Sequence, residues 1–274
     1  MKSNYKSLLD LTGKSVIVTG GLGILGRRFC TALAEFGANV AVIDLDTEAA
    51  QEFATQLSQT YQTDCIGIGC DVSSPIAVKR MVQKVIQHFG QIDILHNNAA
   101  TKTDDLEAYF MPFEQYSLDQ WRRVMAVNLD GMFLVAQQVG REMVKRGVGG
   151  SMIFTASIYG LVAPDHRIYR GAFYSGHAIN TPAVYSASKA ALYGLTKYLS
   201  TYWAKEGIRV NMLTLGGVES GQNEMFKRQY ALRTPLARMG RADEMVSALI
   251  FLASEASSYV TGQNVVIDGG LSSW

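Results

Sequence analysis

Short apolar runs alternate along this chain with segments whose apolar positions recur every three or four residues. The runs at 15–19, 39–43, 65–69, 92–95, 152–156, 209–213 and 264–267 are four or five residues long, as expected of strands buried on both faces. Between them, 24–36, 47–60, 75–89, 118–146, 184–205 and 242–254 carry helical spacing. This alternation predicts βαβ units and an α/β fold, one doubly wound domain over residues 1–274 with a seven-stranded parallel sheet and helices on both faces. No internal repeat or linker interrupts it. Three polar stretches, 101–116, 161–183 and 219–236, are longer than ordinary connections. Ligands of open α/β sheets bind outside the carboxyl ends of the strands, so these stretches are candidates for a substrate lid.

Composition narrows the function classes. Of 274 residues, 48% are hydrophobic and 18% charged, enough apolar surface for a core and too little charge for a disordered chain. Lys plus Arg number 25 against 24 Asp plus Glu, so nothing in the net charge points to a nucleic acid or an anionic membrane. The first ten residues lack the apolar run of a signal peptide, and no stretch of 18 apolar residues occurs, so a cytoplasmic protein is expected. Cys30, Cys65 and Cys70 form no C-x-x-C and stand near no His cluster; core thiols are expected, without disulfide or metal.

Two motifs carry chemistry. Gly21-Leu22-Gly23-Ile24-Leu25-Gly26 follows the first strand and opens a helical segment. Missing Cβ atoms there allow a tight turn and close approach of a pyrophosphate to the helix N-terminus, the arrangement of a Rossmann-type dinucleotide site. A Gly-rich turn without ligand would look the same in isolation. Asp44 adds weight, because it lies 18 residues after Gly26 at the end of the next strand, where a carboxylate accepts hydrogen bonds from the adenosine ribose and repels a 2′-phosphate. With no basic residue in the turn before Gly26, NAD is favoured over NADP, although Arg27 and Arg28 stand close enough to weaken that preference. The second motif is Tyr185-Ser186-Ala187-Ser188-Lys189. Its i,i+4 spacing puts phenol and ammonium on one helix face, where the cation is expected to lower the Tyr185 pKa and make it an acid/base near neutrality. A lone Tyr-x-x-x-Lys arises easily by chance; its place after the fifth strand of a chain with a dinucleotide turn sets it apart.

With these residues in view, the chain resembles the short-chain dehydrogenase/reductase family from about Leu11 to Gly270. Thr19-Gly20-Gly21-Leu22-Gly23-Ile24-Leu25-Gly26 resembles the family's T-G-x-x-x-G-x-G turn, Asp71-Val72 the pair that contacts adenine, and Asn97-Asn98-Ala99-Ala100 the N-N-A-G motif. Asn128, Ser157, Tyr185 and Lys189 resemble the catalytic set. Gly216-Gly217-Val218-Glu219-Ser220 resembles the P-G-x-V-x-T segment at the nicotinamide, and the tail ends in Val266-Ile267-Asp268-Gly269-Gly270. The resemblance implies cofactor contacts at Gly20, Gly23, Leu25, Gly26, Asp44, Asp71, Val72, Asn98, Ala99, Tyr185, Lys189, Gly216, Val218 and Ser220. It further implies NAD(H)-dependent interconversion of a secondary alcohol and a ketone. In oxidation Tyr185 as phenolate takes the hydroxyl proton, Ser157 hydrogen-bonds the substrate oxygen, Lys189 holds the nicotinamide ribose and lowers the Tyr185 pKa, and Asn128 holds a water that links Lys189 to solvent. A homodimer or homotetramer, built on the helix bearing Tyr185 and on 118–146, is also implied.

Departures from the pattern are informative. Ile24 stands at the family's second glycine, with Gly23 beside it expected to supply the backbone freedom. Ala100 replaces a glycine, Leu215 a proline and Ser220 a threonine. Ser157 and Tyr185 are 28 residues apart, roughly twice the usual family spacing, because 161–183 carries an insertion expected to cover the substrate side. Within the family, Ile158-Tyr159-Gly160-Leu161-Val162-Ala163-Pro164-Asp165 most resembles oxidoreductases of bacterial nonulosonate (legionaminic-type) sugar biosynthesis.

Other residues point less directly to a role. His166, Arg167, Arg170 and His177 make the insertion cationic, and Lys227, Arg228 and Arg233 do the same for 219–236. Arg167 and Arg170, three apart, would reach one anion if that stretch were helical; a solvated surface is the competing reading. His88 and His96 fit surface or core positions, and the stripe of Tyr193, Tyr198, Tyr202 and Trp203 fits core or subunit contact. The expected substrate is a polar, sugar-type small molecule, with phosphorylated or nucleotide-linked sugars among the options. Two alternatives stay open: a reductase of apolar acyl or steroid carbonyls, and a protein that senses the dinucleotide without turnover.

Overall fold

Alternate side chains of the first strand serve two different layers. Val16 and Val18 pack with Phe29 and Leu33 on one face, whereas Ile17 packs with Val82 and Met132 on the other, as the two-residue period of a strand requires. In the computed structural model, which describes residues 5–274, this pattern is repeated across one sheet. In chain order the elements are β1 (Ser15–Thr19), α1 (Ile24–Glu35), β2 (Asn39–Asp44), α2 (Thr47–Tyr61), β3 (Cys65–Gly69), α3 (Pro75–Phe89), β4 (Ile94–Asn97), α4 (Leu106–Tyr109), α5 (Leu118–Met125), α6 (Met132–Arg146) and β5 (Gly150–Ser157). After these come β6 (Phe173–Tyr174), β7 (His177–Ala178), α7 (Ala183–Tyr202), β8 (Ile208–Leu215), α8 (Glu224–Leu232), α9 (Val246–Ala253) and β9 (Asn264–Ile267).

The seven strands of the main sheet lie in the order β3-β2-β1-β4-β5-β8-β9, all parallel. Helices α3, α6 and α7 cover one face; α1 and α9 cover the other, joined there by the apolar side of α2. The predicted α/β architecture is therefore the observed one. Strand order reverses between β1 and β4, which opens a crevice at their carboxyl ends. Local chemistry sets several boundaries: Asp46 caps α2 by accepting from the Ala49 N–H at 3.0 Å, and Ser74 caps α3, with Pro75 in its first turn.

Some expectations on boundaries need correction. β4 runs from Ile94 to Asn97 and not over 92–95; just before it the Asp93 backbone pairs with Ser15 and Ser151, and its carboxylate accepts from Arg146 Nη1 and from the Ser15 N–H, each at 2.8 Å. Residues 118–146 are two helices separated by a π-helical turn, Ala126–Gly131. The long stretches are not structureless. The first holds α4, the second a short 3-10 turn, His166–Tyr169, and the antiparallel β6–β7 hairpin, and the third holds α8. In α8 only Phe226 and Tyr230 are buried, too few positions for the apolar period to stand out in a polar segment.

All three cysteines are buried and free. Among the described residues no helix is long and apolar enough to cross a membrane.

Candidate functional site

The crevice at the carboxyl ends of the strands is a cleft of about 800 Å³. It begins at the turn after β1. Gly20 has φ +65°, a conformation that a side chain would strain. A Cβ on Gly26 would lie 2.0 Å from the Gly20 carbonyl oxygen, so the first turn of α1 can pack on the loop only without one. Gly23, by contrast, has φ −64° and ψ 167°, ordinary for any residue. The expectation that it supplies special backbone freedom is therefore not met, and Gly20 supplies it instead. Gly23 N-caps α1 with no side-chain hydrogen bond, which leaves the helix N-terminus to an external acceptor.

Asp44 closes this end of the cleft. Its Oδ2 accepts from the Leu22 N–H and its Oδ1 from the Leu45 N–H, each at 2.8 Å, so the carboxylate is fixed against the glycine turn. Asp71 and Val72 line the same end, as do Leu25 and Gly26. Neither nearby arginine reaches it: Arg27 donates to the Leu22 carbonyl at 3.1 Å and lies over the Phe53 ring, and Arg28 pairs with Asp243. Beneath the middle of the cleft, Thr19 Oγ1 accepts from the Asn98 and Ala99 N–H groups at 2.9 and 3.0 Å, which ties the ends of β1 and β4 together where Asn98 and Ala99 face the cavity.

Ser157 ends β5, while Tyr185 and Lys189 project from the first two turns of α7. All three line the cleft. Burial pushes the Tyr185 phenol above its ordinary pKa, opposed by the Ser157 hydroxyl. The sequence-based expectation was the opposite direction. The structure accounts for the difference: the Lys189 ammonium is itself buried and donates to the Thr155 carbonyl at 2.9 Å, and burial lowers its pKa to about 8. Gly216, Val218 and Ser220 form the wall after β8, where Gln222 brackets the turn by accepting from the Ser220 N–H at 2.8 Å and donating to the Val218 carbonyl at 3.1 Å.

Asn128 is the one candidate the structure does not bring to the cleft surface. It is fully buried on the π-helical turn; its Oδ1 accepts from the Thr101 N–H at 2.8 Å and its Nδ2 has no partner. It pins the loop after β4, and an inserted π turn of this kind often accompanies a functional site.

The insertion does border the cleft, but not through its arginines. Tyr174, Ile179, Asn180 and Thr181 face the cavity, and Asn180 Nδ2 donates to the Phe110 carbonyl at 2.6 Å. Arg167 instead forms a bidentate pair with Asp165, at 2.8 and 2.7 Å, and Arg170 does not line the cleft. The paired reach toward one anion fails because Asp165, two residues earlier, caps the turn and captures Arg167. His166, His177, Lys227, Arg228 and Arg233 also stay outside the cavity wall. Sequence reasoning missed Lys102, Tyr109, Phe110, Tyr159 and Tyr174 as cleft residues. Only the unusual length of their loops hinted at Lys102, Tyr109, Phe110 and Tyr174, while Tyr159 lies just before the insertion.

Comparison with known proteins agrees with this geometry. The family profile described as enoyl-(acyl carrier protein) reductase matches residues 23–272. The chain is 34% identical to sorbose reductase of Candida albicans, over 98% of this chain and 91% of that one, and 34% identical to D-threitol dehydrogenase of Mycolicibacterium smegmatis, over 95% and 93%. Among solved structures it is similar to a gluconate 5-dehydrogenase from Burkholderia cenocepacia in complex with NADP and tartrate, at TM-score 0.85 and 32% identity over 99% and 100% of the two chains. A short-chain dehydrogenase from Leptospira borgpetersenii with bound NAD+ gives TM-score 0.84 and 32% identity over 99% and 96%. The parallel sheet, the glycine turn, the Ser157, Tyr185 and Lys189 side chains on one cleft, and these matches together show that the chain belongs to the short-chain dehydrogenase/reductase family.

Proposed function

We propose that the protein is an NAD(H)-dependent oxidoreductase that interconverts a secondary alcohol and a ketone on a polyol or sugar-type substrate. What carries the reading is the single cleft that holds Ser157, Tyr185 and Lys189 at one end and Asp44 at the other. The residues fit a nicotinamide dinucleotide: the close contact of Gly26 on Gly20 and the uncapped α1 N-terminus suit a pyrophosphate, and Asp44 suits the adenosine ribose. When bound, the dinucleotide accepts or supplies the hydride. Tyr185 donates or removes the proton at the substrate oxygen, and Ser157 hydrogen-bonds that oxygen. Lys189 holds the nicotinamide ribose, and Asn128 acts from behind, by fixing Thr101 and the loop after β4.

NAD is favoured because among the described residues no cation lines the Asp44 end, Arg27 and Arg28 being engaged elsewhere. The relatives that act on sorbose and threitol, by their names, favour a hydroxyl-rich substrate. The 161–183 segment serves as the substrate-side wall and 219–236 as its neighbour, within one catalytic domain. A homodimer or homotetramer would use the exposed face of α7, where Tyr198 and Tyr202 stack with ring centroids 5.6 Å apart.

The test follows absorbance at 340 nm with four- to six-carbon polyols and ketoses and either cofactor. Polyol turnover is expected, together with NADH binding at least about tenfold tighter than NADPH, a gap of about 1.4 kcal/mol. Turnover of apolar carbonyls alone would move the assignment to an acyl or steroid reductase. Cofactor binding without turnover of any alcohol or ketone would make the protein a sensor.

A further inference from the structure

The charges on the cleft wall are segregated. Its carboxylates, Asp44 and Asp71, stand at the end assigned to adenosine, and its cations, Lys102 and Lys189, stand at the other. Lys189 is committed to the Thr155 carbonyl. Lys102 is different: among the described residues it has no hydrogen-bond or ion-pair partner, and its Nζ lies 4.1 Å from the centroid of the Tyr174 ring. A cation over an aromatic face is held in place without being neutralised. Both halves of that contact come from the long stretches, Lys102 from the loop after β4 and Tyr174 from the insertion, and the Asn180–Phe110 hydrogen bond fastens the same two segments. The other basic side chains of these stretches lie outside the cavity, several of them already paired: Arg167 and Arg233 with Asp165, Lys227 with Glu224. Among the described residues, the cleft therefore offers one uncommitted positive charge to whatever occupies the substrate half.

We propose that Lys102 is a substrate-selecting residue that binds a carboxylate, so that the preferred substrate is a polyhydroxy acid in which the anionic group lies away from the oxidised carbon. This rests on the oxidoreductase reading above. A carboxylate is favoured over a phosphate by charge balance: among the described residues the cavity offers one uncommitted ammonium, which matches a single negative charge, whereas a phosphate carries about −1.5 to −2 at neutral pH. Tyr174 contributes by orienting the ammonium toward the cavity, and so couples the insertion to selectivity.

Matched acid and alcohol pairs separate this from a general loss of function. D-gluconate and D-sorbitol, and the corresponding pairs of four and five carbons, are compared in wild type, K102M and K102R with NAD+. Wild type is expected to favour the acid by at least about tenfold in kcat/KM (about 1.4 kcal/mol). In K102M that ratio should fall at least about tenfold, chiefly through KM for the acid, with K102R retaining most of it. Calorimetric binding of the acids to the protein–NADH complex reads the same site without turnover, and should weaken in K102M alone. Polyol turnover without preference for the acid, or acid binding that K102M leaves intact, overturns the proposal while the oxidoreductase assignment stands. If no alcohol or ketone turns over at all, that assignment falls, and the calorimetry still decides whether Lys102 binds a carboxylate.

Discussion

At the residue scale, burial decides the charge states that the chemistry must work with. Tyr185 has a raised pKa and Lys189 a lowered one, about 8, because both charged forms lose water in the cleft. At neutral pH the phenol is protonated, ready to donate in the reductive direction, whereas oxidation needs the minority phenolate. The rate of alcohol oxidation should therefore climb with pH between 6 and 8 while carbonyl reduction stays nearly flat, which pH profiles of kcat/KM in the two directions will show. Tyr185→Phe removes the hydroxyl and keeps the ring. It should cost about a hundredfold or more in turnover, in line with the usual contribution of a positioned acid or base, while NADH still binds because Gly26 and Asp44 are untouched. Near-normal turnover in this variant would remove Tyr185 from the chemistry. Tyr185, Lys189, Ser157 and Asp44 were legible in the sequence because each combines a reactive group with a fixed offset from a strand or helix end. Lys102 was not, since it sits in a loop with no periodicity and its relation to Tyr174, 72 residues away, exists only in three dimensions.

At the scale of elements, the seven strands were readable because each is a short apolar run buried on both faces, and the helices covering them because their apolar stripes are long. What escaped was built from few buried positions. Ile168 and Ala172 of the insertion are buried and pack with Phe226 and Tyr230 of α8 and with Leu271, so this part of its core is shared with a distant segment and leaves no local period. Polar ties complete the junction: Asn223 Nδ2 donates to the Gly171 carbonyl and Gln229 Nε2 to the Arg170 carbonyl, each at 2.9 Å, and Arg233 pairs with Asp165. The Asp165 carboxyl is held well below the usual range, first by the hydrogen bond from Arg167. Two outcomes follow from this arrangement. Replacing Arg167 and Arg170 together with Ala should leave KM within about twofold, because neither lines the cleft. Asp165→Ala should cost about 1–2 kcal/mol of global stability, because it removes a turn cap and two ion pairs whose Asp165 side is only 18% exposed, and should speed hydrogen exchange across 166–181 by loosening the insertion from α8. A large rise in KM in the first variant, or unchanged exchange in the second, would contradict the anchoring described.

At the scale of the whole molecule, the reactive end of the cleft stands on the sheet interior through one residue. Thr155 on β5 gives its carbonyl to Lys189, and its Oγ1 lies 2.8 Å from His96 Nε2 on β4. His96 is fully buried, with Phe29 edge-on at 4.5 Å, no partner at Nδ1, and a pKa lowered by burial to about 3. The folded chain keeps this ring neutral, while the unfolded chain protonates it near pH 6.5. Between those values the unfolded state binds more protons, so stability is present above pH 6.5 and is lost as pH falls, approaching about 1.4 kcal/mol per pH unit once the unfolded ring is fully charged. The carboxylates with depressed values, Glu244 at about 2 and Asp165 lower still, act in the same direction but only below about pH 4.5, where their unfolded counterparts take up protons. The window from pH 6.5 to 5 therefore isolates the histidine. Denaturant unfolding across that window should show the loss in wild type. It should be largely flat in His96→Gln, which has no ring to protonate, whatever the variant's absolute stability. A wild-type curve that stays level from pH 7 to 5 would mean that the ring is hydrated or protonated in the folded protein, and that burial does not hold it neutral.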